Sequence, residues 1–253
     1  AVPVCLGSLA ANFSGFIDMM TVTGRLSQAM QSDPQTLLSC YGANIPEAEI
    51  LNNTVHNYLY GAYSGKAVVI SNLVTALTAG LAVSALPVVA ESYARGDREK
   101  TQRSVQMVLR ITAICCIPAG LGISALSQEI CQLFFGYSSE VAIGAPLLRV
   151  LAVASIFIAL TAAINSLLQA VGQVSLPVKL IVIGSLVKIV MNYVLVGIPQ
   201  INIQAAPWST LCCYLLITVL SLISLRHSVG ELGAVSVFLK PGFAGVLCAV
   251  FAR

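Results

Sequence analysis

Two ionisable residues of opposite charge lie inside apolar segments of this 253-residue chain. Asp18 stands in GFIDMMTVTGRL, and Lys188 stands in GSLVKIVMNYVLV. A charged side chain within a bilayer costs about 2.5–3.5 kcal/mol on insertion scales, so it pairs with another charge or faces a water-filled cavity. Because the two residues lie in different segments, the sequence predicts an ion pair between two membrane helices. Such a pair either belongs to a functional cavity or coupling site, or only fixes the packing of the helices.

Further polar residues recur at helical spacing on three apolar segments. Residues three, four or seven positions apart lie on one face of a helix, and facing polar stripes predict a hydrated cavity. The alternative is that the hydroxyl groups only join neighbouring helices through hydrogen bonds. The stripes are Asp18, Thr21 and Arg25 on the first segment, Asn72, Thr75 and Thr78 on the second, and Lys188 and Asn192 on the fifth. The candidates for a substrate cavity or coupling site are Asp18, Arg25, Asn72, Thr75, Lys188 and Asn192.

The composition predicts the elements that position these residues. Hydrophobic residues make up 57% of the chain and charged residues 9%, whereas soluble domains carry roughly a quarter charged residues. The mean hydropathy is +0.89. The segment 203–225 contains no Asp, Glu, Lys or Arg, and at about 1.5 Å per helical residue it can cross a bilayer core of about 30 Å. The predicted fold class is therefore an all-α, polytopic transmembrane helix bundle.

Six full spans and one truncated span are predicted, and together they form one bundle over residues 1–253. The spans lie near 1–26, 67–90, 105–127, 146–170, 177–198 and 203–225, with a partial one at 241–253. The chain opens inside an apolar segment, and its last apolar run is too short to cross a bilayer. These two ends predict an excerpt of a longer protein.

The distribution of Lys and Arg predicts the orientation, because short cytoplasmic loops carry the excess of basic residues. The connector between the second and third spans is basic, and the next one, 127–145, contains no Lys or Arg. The basic residues of the former are Arg95, Arg98, Lys100 and Arg103. The first helix is therefore predicted to run from inside to outside. The long connector 26–66 is then external, with a short interfacial helix and a tyrosine-rich return, and an amphipathic element at 126–135 lies on the same side.

Enzyme signatures are absent from the sequence. His56 and His227 lie in separate connectors, and there is no nucleophile elbow, phosphate-binding loop or zinc-protease motif. Most cysteines lie in apolar runs, where Cys behaves as a small apolar residue. The sequence thus predicts a transporter rather than an enzyme, with no cofactor, no bound metal and no nucleic-acid partner.

Three segments carry a family resemblance. They are FIDMMTVTGRL, GLAVSALPVVAESYARGDREK and INSLLQAVGQVSLPVKLIVIGSLVKIVMNYVLVGIP. In this order they resemble the multidrug/oligosaccharidyl-lipid/polysaccharide exporter superfamily, which has a mid-span Asp, a Leu-Pro run before an Ala-Arg-Gly-Asp loop, and a Pro-opened helix with Lys and Asn-Tyr. The branch that looks most similar is the polysaccharide transporter group that includes stage V sporulation protein B and the lipid II flippase.

The resemblance implies two lobes of helices around a central cavity, in about fourteen spans. This chain would be the C-terminal lobe, and its partners would be the missing N-terminal lobe, membrane lipids and a lipid-linked saccharide diphosphate. Some relatives hold a sodium ion between the first helix's acidic residue and polar groups of the helix that here carries Lys188. A lysine ammonium beside Asp18 could take the place of that ion.

The predicted function is the flipping of a lipid-linked saccharide precursor of peptidoglycan or another cell-wall polysaccharide, by alternating access across a bacterial plasma membrane. In this hypothesis Arg25 and Lys188 are positive partners for phosphate. The alternative within the superfamily is a proton- or sodium-coupled multidrug or cation antiporter, with Asp18 as the protonation site. A membrane scaffold or lipid-modifying protein without transport is a third possibility.

Overall fold

The computed structural model describes residues 2–230, 241–245 and 247–248. Within these residues every regular element is helical, which confirms the all-α prediction. The α-helices are α1 (Val2–Ser32), α2 (Pro34–Ser39), α3 (Glu47–Leu51), α4 (Val55–Ala62), α5 (Val69–Ala94), α6 (Arg98–Ala125), α7 (Ser127–Phe135), α8 (Ser139–Ala170), α9 (Ser175–Met191) and α10 (Ala205–Val229).

Five helical stretches in the described part are long and apolar enough to cross a membrane. They are Val55–Ala94, Arg98–Ala125, Ser139–Ala170, Ser175–Val196 and Asn202–Val229. These stretches overlap five of the predicted spans, and residues 2–26 of the predicted first span lie within α1. The chain is therefore a multi-pass membrane helix bundle. Of the predicted partial span at 241–253, only residues 241–245 and 247–248 are described.

The predicted external connector 26–66 is shorter in the structure than the sequence indicated. Helix α1 continues to Ser32, and the next long helix begins at Val55. Tyr63 consequently lies on a helix and is buried, whereas the sequence predicted a return at headgroup depth. Both helices extend past their apolar runs because their ends contribute residues such as Leu59 to one buried cluster. The connector that remains carries the short helices α2 and α3.

Helix α8 is the centre of the bundle. Most of its side chains are buried, and it packs against α5, α6 and α10. It begins at Ser139, earlier than predicted, because the Ser138 hydroxyl accepts a hydrogen bond from the Val141 backbone N–H and caps the helix. The amphipathic element predicted at 126–135 is α7, which packs on α8 through the buried Cys131.

Close helix approach in this bundle depends on a few glycines. A Cβ atom at Gly120 of α6 would lie 2.8 Å from the Ala152 carbonyl oxygen of α8. At Gly184 of α9 it would lie 2.4 Å from Cδ1 of Ile217 on α10. Because glycine has no Cβ atom, α6 can lie close to the central helix α8 at Gly120, and α9 can lie close to α10 at Gly184.

Two π-helical turns interrupt the long helices. One, Tyr63–Val68, joins α4 to α5, and the other, Asn192–Val196, follows α9. A π-turn inserts an extra residue into a helix and is frequent at functional sites. Here each turn begins with a buried side chain, Tyr63 or Asn192.

Candidate functional site

An ion pair lies where α1, α9 and α10 meet. The Lys188 Nζ atom of α9 is 2.7 Å from the Asp18 Oδ2 atom of α1. Only 3% of the Lys188 side chain and 10% of the Asp18 side chain are exposed. The structure therefore places the two oppositely charged residues in direct contact and out of water.

Asn192 completes the hydrogen bonding of this pair. Its Nδ2 atom donates to Asp18 Oδ1 at 3.0 Å and to the Thr21 hydroxyl at 3.3 Å. Its Oδ1 atom accepts a hydrogen bond from the Ser209 hydroxyl of α10. Because Lys188 and Asn192 are one helical turn apart, both side chains reach the same point of α1. Each oxygen of the Asp18 carboxylate thus has a donor.

The contribution of this group to stability depends on whether each of its buried charges and polar atoms has a partner. Taking two charges out of water costs several kcal/mol for each ion, and the mutual attraction offsets this only when additional hydrogen bonds satisfy the remaining atoms. Asn192 supplies such a bond to Asp18. Loss of either charge leaves the other buried without its partner, which typically costs about 3–5 kcal/mol. The group therefore favours one arrangement of three helices.

Three residues near this group were not among the sequence candidates. Ser209 contacts Asn192, and the buried Tyr63 forms a side-chain hydrogen bond with Thr210. Ser209 and Thr210 stand in an uncharged run, where hydroxyls commonly serve helix packing. Tyr63 was assigned to a surface return, so nothing in the sequence distinguished these residues from their neighbours.

Arg25 lies two helical turns along α1 from Asp18 and contacts the π-turn after α9. Its Nε atom donates to the Tyr193 carbonyl oxygen at 2.9 Å, and its guanidinium carbon is 4.1 Å from the centre of the Tyr193 ring. A Cβ atom at Gly197 would lie 2.5 Å from Arg25 Nη2. Glycine at this position leaves space for the guanidinium group, which is half-buried.

The remaining two candidates, Asn72 and Thr75, are not brought to the ion pair. They lie on α5, which packs mainly on α6 and α8. The Asn72 side chain is exposed, and within the described residues the Thr75 hydroxyl has no hydrogen-bond partner. The three polar stripes of the sequence therefore do not converge in this bundle.

A second interhelical ion pair lies away from the first. The Lys66 Nζ atom, in the π-turn Tyr63–Val68, is 3.0 Å from Glu140 Oε2 at the start of α8. The same atom lies 4.4 Å from the centre of the Phe135 ring. With side-chain exposures of 22% and 41%, this pair is screened by solvent and contributes less than a buried one.

A bundle of long apolar helices with a buried charged group between three of them is the architecture of a polytopic membrane transporter. Comparison with known protein families identifies the kind of transporter. Residues 58–252 match the family model described as Lipid II flippase MurJ. The chain belongs to this family, and the resemblance to the exporter superfamily is confirmed. No curated protein sequence matches the chain.

Solved structures show the same fold. A MOP superfamily transporter from Pyrococcus furiosus aligns with a TM-score of 0.60 and 16% identity, over 92% of this chain and 52% of that protein. A MATE transporter in complex with MaD3S aligns with a TM-score of 0.65 and 15% identity, over 97% and 52%. An outward-facing multidrug resistance MATE transporter of the MOP superfamily gives 0.65 and 15%, over 99% and 51%. The chain thus spans about half the length of these structures.

Proposed function

We propose that this bundle is the C-terminal lobe of a flippase that moves a lipid-linked saccharide diphosphate to the outer leaflet of a bacterial plasma membrane by alternating access. The family match supports a lipid-linked substrate. The substrate belongs to peptidoglycan or another cell-wall polysaccharide. The N-terminal lobe and membrane lipids are its partners.

The observation that carries this proposal is the buried Lys188–Asp18 pair with Asn192 between α1, α9 and α10. Alternating access requires helices with two discrete arrangements, and a buried pair is a contact that is either made or broken. In the proposal the pair is made in one access state and opens in the other. Asp18, Lys188 and Asn192 are then coupling residues.

Arg25 is the proposed contact for phosphate. Its guanidinium group is half-buried, donates to the Tyr193 carbonyl oxygen and the Gln28 side-chain oxygen, and stacks on the Tyr193 ring. Within the described residues it forms no salt bridge, so its positive charge is available to an anion. Asn72 is exposed on α5, apart from Arg25, and together with Thr75 it is proposed to face the central cavity between this lobe and the N-terminal lobe. Lys188 is buried against Asp18, and in the proposal it reaches phosphate only when this pair opens.

The membrane potential supplies a driving force for such a substrate. A diphosphate carries about two negative charges, and moving one charge outward across an inside-negative membrane is favourable by about 2.3 kcal/mol per 100 mV. Export of the diphosphate therefore gains roughly 4–5 kcal/mol per 100 mV. The Lys188 ammonium fills the position of a cation beside Asp18, so the proposed cycle does not require sodium.

The experiment that tests the proposal is translocation of a fluorescent lipid-linked disaccharide by the intact transporter in proteoliposomes, with and without an imposed inside-negative potential. We expect translocation that increases with the potential, is equal in sodium and potassium salts, and is lost in Lys188→Ala. Translocation that persists unchanged in Lys188→Ala and in Asp18→Ala would reduce the pair to a packing role. Absence of translocation by the wild-type protein would contradict the flippase itself.

The second candidate function is a cation antiporter, since two of the similar structures are MATE transporters. In that case Asp18 must bind and release a proton or the cation itself. Its carboxylate already has Lys188 and Asn192 as partners, which favours the flippase. Transport of a cationic dye in proportion to a proton gradient would support the antiporter instead.

A further inference from the structure

A cavity lies at the end of the bundle where α5 and α10 finish and α6 begins. Its volume is about 490 Å³, and it is open on one side to the surface. The residues that line it include Tyr93 at the end of α5, Gly96 after it, Arg98 and Thr101 of α6, and His227 and Ser228 of α10. The Lys and Arg distribution puts this end of the helices at the cytoplasmic face.

Arg98 and His227 make this cavity basic and rich in hydrogen-bond donors. Both side chains are exposed, and within the described residues Arg98 forms no salt bridge. A neighbouring cavity shares His227 and Gly230 and adds Arg226 to the same surface. Tyr93 contributes a hydroxyl group. Guanidinium and imidazole N–H groups are donors suited to phosphate oxygens.

The acidic residues of the connector between α5 and α6, which the structure describes, are engaged in other contacts. Glu91 pairs with Arg95 at 2.6 Å, and Glu99 pairs with Arg103. The Asp97 carboxylate accepts a hydrogen bond from the Lys100 backbone N–H at 3.0 Å and caps α6. Asp97 keeps its negative charge, but the connector carries four basic residues against three acidic ones, so its charge balance is positive.

The floor of the cavity is held in place by hydrogen bonds between elements. The buried Thr101 hydroxyl donates to the Asp97 carbonyl oxygen at 2.8 Å and lies 3.2 Å from the Ser92 hydroxyl, which joins α6 to α5. The Gln173 side chain, in the turn before α9, donates to the Ser228 hydroxyl at 2.7 Å. These hydrogen bonds hold α6 to α5, and they hold the turn before α9 to α10, beneath Arg98 and His227.

We propose that this cavity binds the phosphate group of an anionic membrane lipid at the cytoplasmic surface. Basic recesses between membrane helices on this side are suited to anionic headgroups, because the leaflet is negatively charged and concentrates them there. The site is separate from the Asp18–Lys188 group and does not depend on what the bundle transports.

The test is equilibrium binding of a fluorescent phosphatidylglycerol to the purified intact transporter in detergent. Arg98→Gln is expected to weaken binding roughly fivefold, the effect of one basic residue near an anionic surface. Arg98→Gln combined with His227→Gln should weaken binding further. The matched control is Arg95→Gln, which removes the same charge from the same connector outside the cavity lining, and it should change binding less than twofold.

Two outcomes would overturn the proposal. One is an equal loss in Arg95→Gln and Arg98→Gln, which would mean that binding follows surface charge alone. The other is unchanged binding in the Arg98 and His227 double variant. Competition by excess glycerol 3-phosphate would show that the cavity accepts free phosphate esters as well. Selective loss in the cavity variants without such competition would assign the site to the lipid alone.

Discussion

The Lys188 ammonium and the Asp18 carboxylate lie 2.7 Å apart in a part of the bundle from which water is excluded. One charge is on α9 and the other on α1, so the contact fixes the distance between two helices. Asn192 and Ser209 extend the same group to α10. Removing one of the two buried charges costs more stability than replacing both of them by apolar side chains.

Single substitutions of this pair are expected to destabilise the protein much more than the double substitution. Lys188→Met or Asp18→Leu alone should lower the free energy of unfolding by about 3–5 kcal/mol, because a buried charge loses its partner, whereas the double variant should approach wild-type stability. Thermal unfolding of the intact transporter in detergent measures this. The matched control is Lys66→Met in the partly exposed pair, which should cost at most about 1 kcal/mol.

The double variant also separates packing from function. If it is stable but does not translocate lipid, the pair is needed for transport beyond its structural contribution. If it is stable and translocates normally, the pair only fixes the helices. Near-wild-type stability of both single variants would contradict the energetic argument itself.

Gly197 is expected to control the position of Arg25. In Gly197→Ala the new methyl group would lie 2.5 Å from Arg25 Nη2, so the guanidinium group must leave its place. Because an arginine end is flexible, stability should change little. Substrate translocation should fall to the level of Arg25→Gln if Arg25 contacts phosphate. Gly24→Ala on α1 is the control, since no atom lies within 4 Å of its Cβ position. Normal translocation in Gly197→Ala would remove Arg25 from the proposed site.

Gly120→Ala is expected to weaken the packing of α6 on the central helix. Its Cβ atom would lie 2.8 Å from the Ala152 carbonyl oxygen, which belongs to the backbone and cannot rotate away. Overpacking of this kind costs about 1–3 kcal/mol. Gly122→Ala, two residues away with no atom within 4 Å, should instead be neutral or stabilising by up to about 1 kcal/mol. Thermal unfolding of the two variants measures the difference, and equal stabilities would contradict the close approach.

Cysteine labelling is expected to report the orientation of the bundle. Cys40 is exposed in the connector after α2 and should react with a membrane-impermeant maleimide in intact cells. Cys131 should not react, because it is buried and burial raises the pKa of its thiol, so little of the reactive thiolate forms. A cysteine introduced by Arg95→Cys in a Cys40→Ser background should react only after the membrane is opened. The opposite pattern would invert the orientation.

Much of the fold could be predicted from the sequence because a bilayer permits few kinds of backbone structure. Backbone groups in hydrocarbon must be bonded within a helix or a closed barrel, so long apolar runs such as 203–225 predicted helices at nearly the right places. The ends of the helices were predicted less well. Helix α1 and the helix that begins at Val55 extend beyond their apolar runs, because contacts such as that of Leu59 with its neighbours are tertiary.

The sequence by itself determined the class of protein and the two charges inside it, because composition and the cost of an isolated charge in lipid do not depend on the final packing. Only the tertiary structure decided which residues meet. It joined Asn192 and Ser209 to the pair and left Asn72 exposed on α5, although helical spacing had marked Asn72 as strongly as Asn192. The physical reason is that periodicity gives the face of a helix but not the neighbour that the face contacts. Glycines such as Gly184, together with the π-turns, determine which helices pack closely enough for these faces to meet.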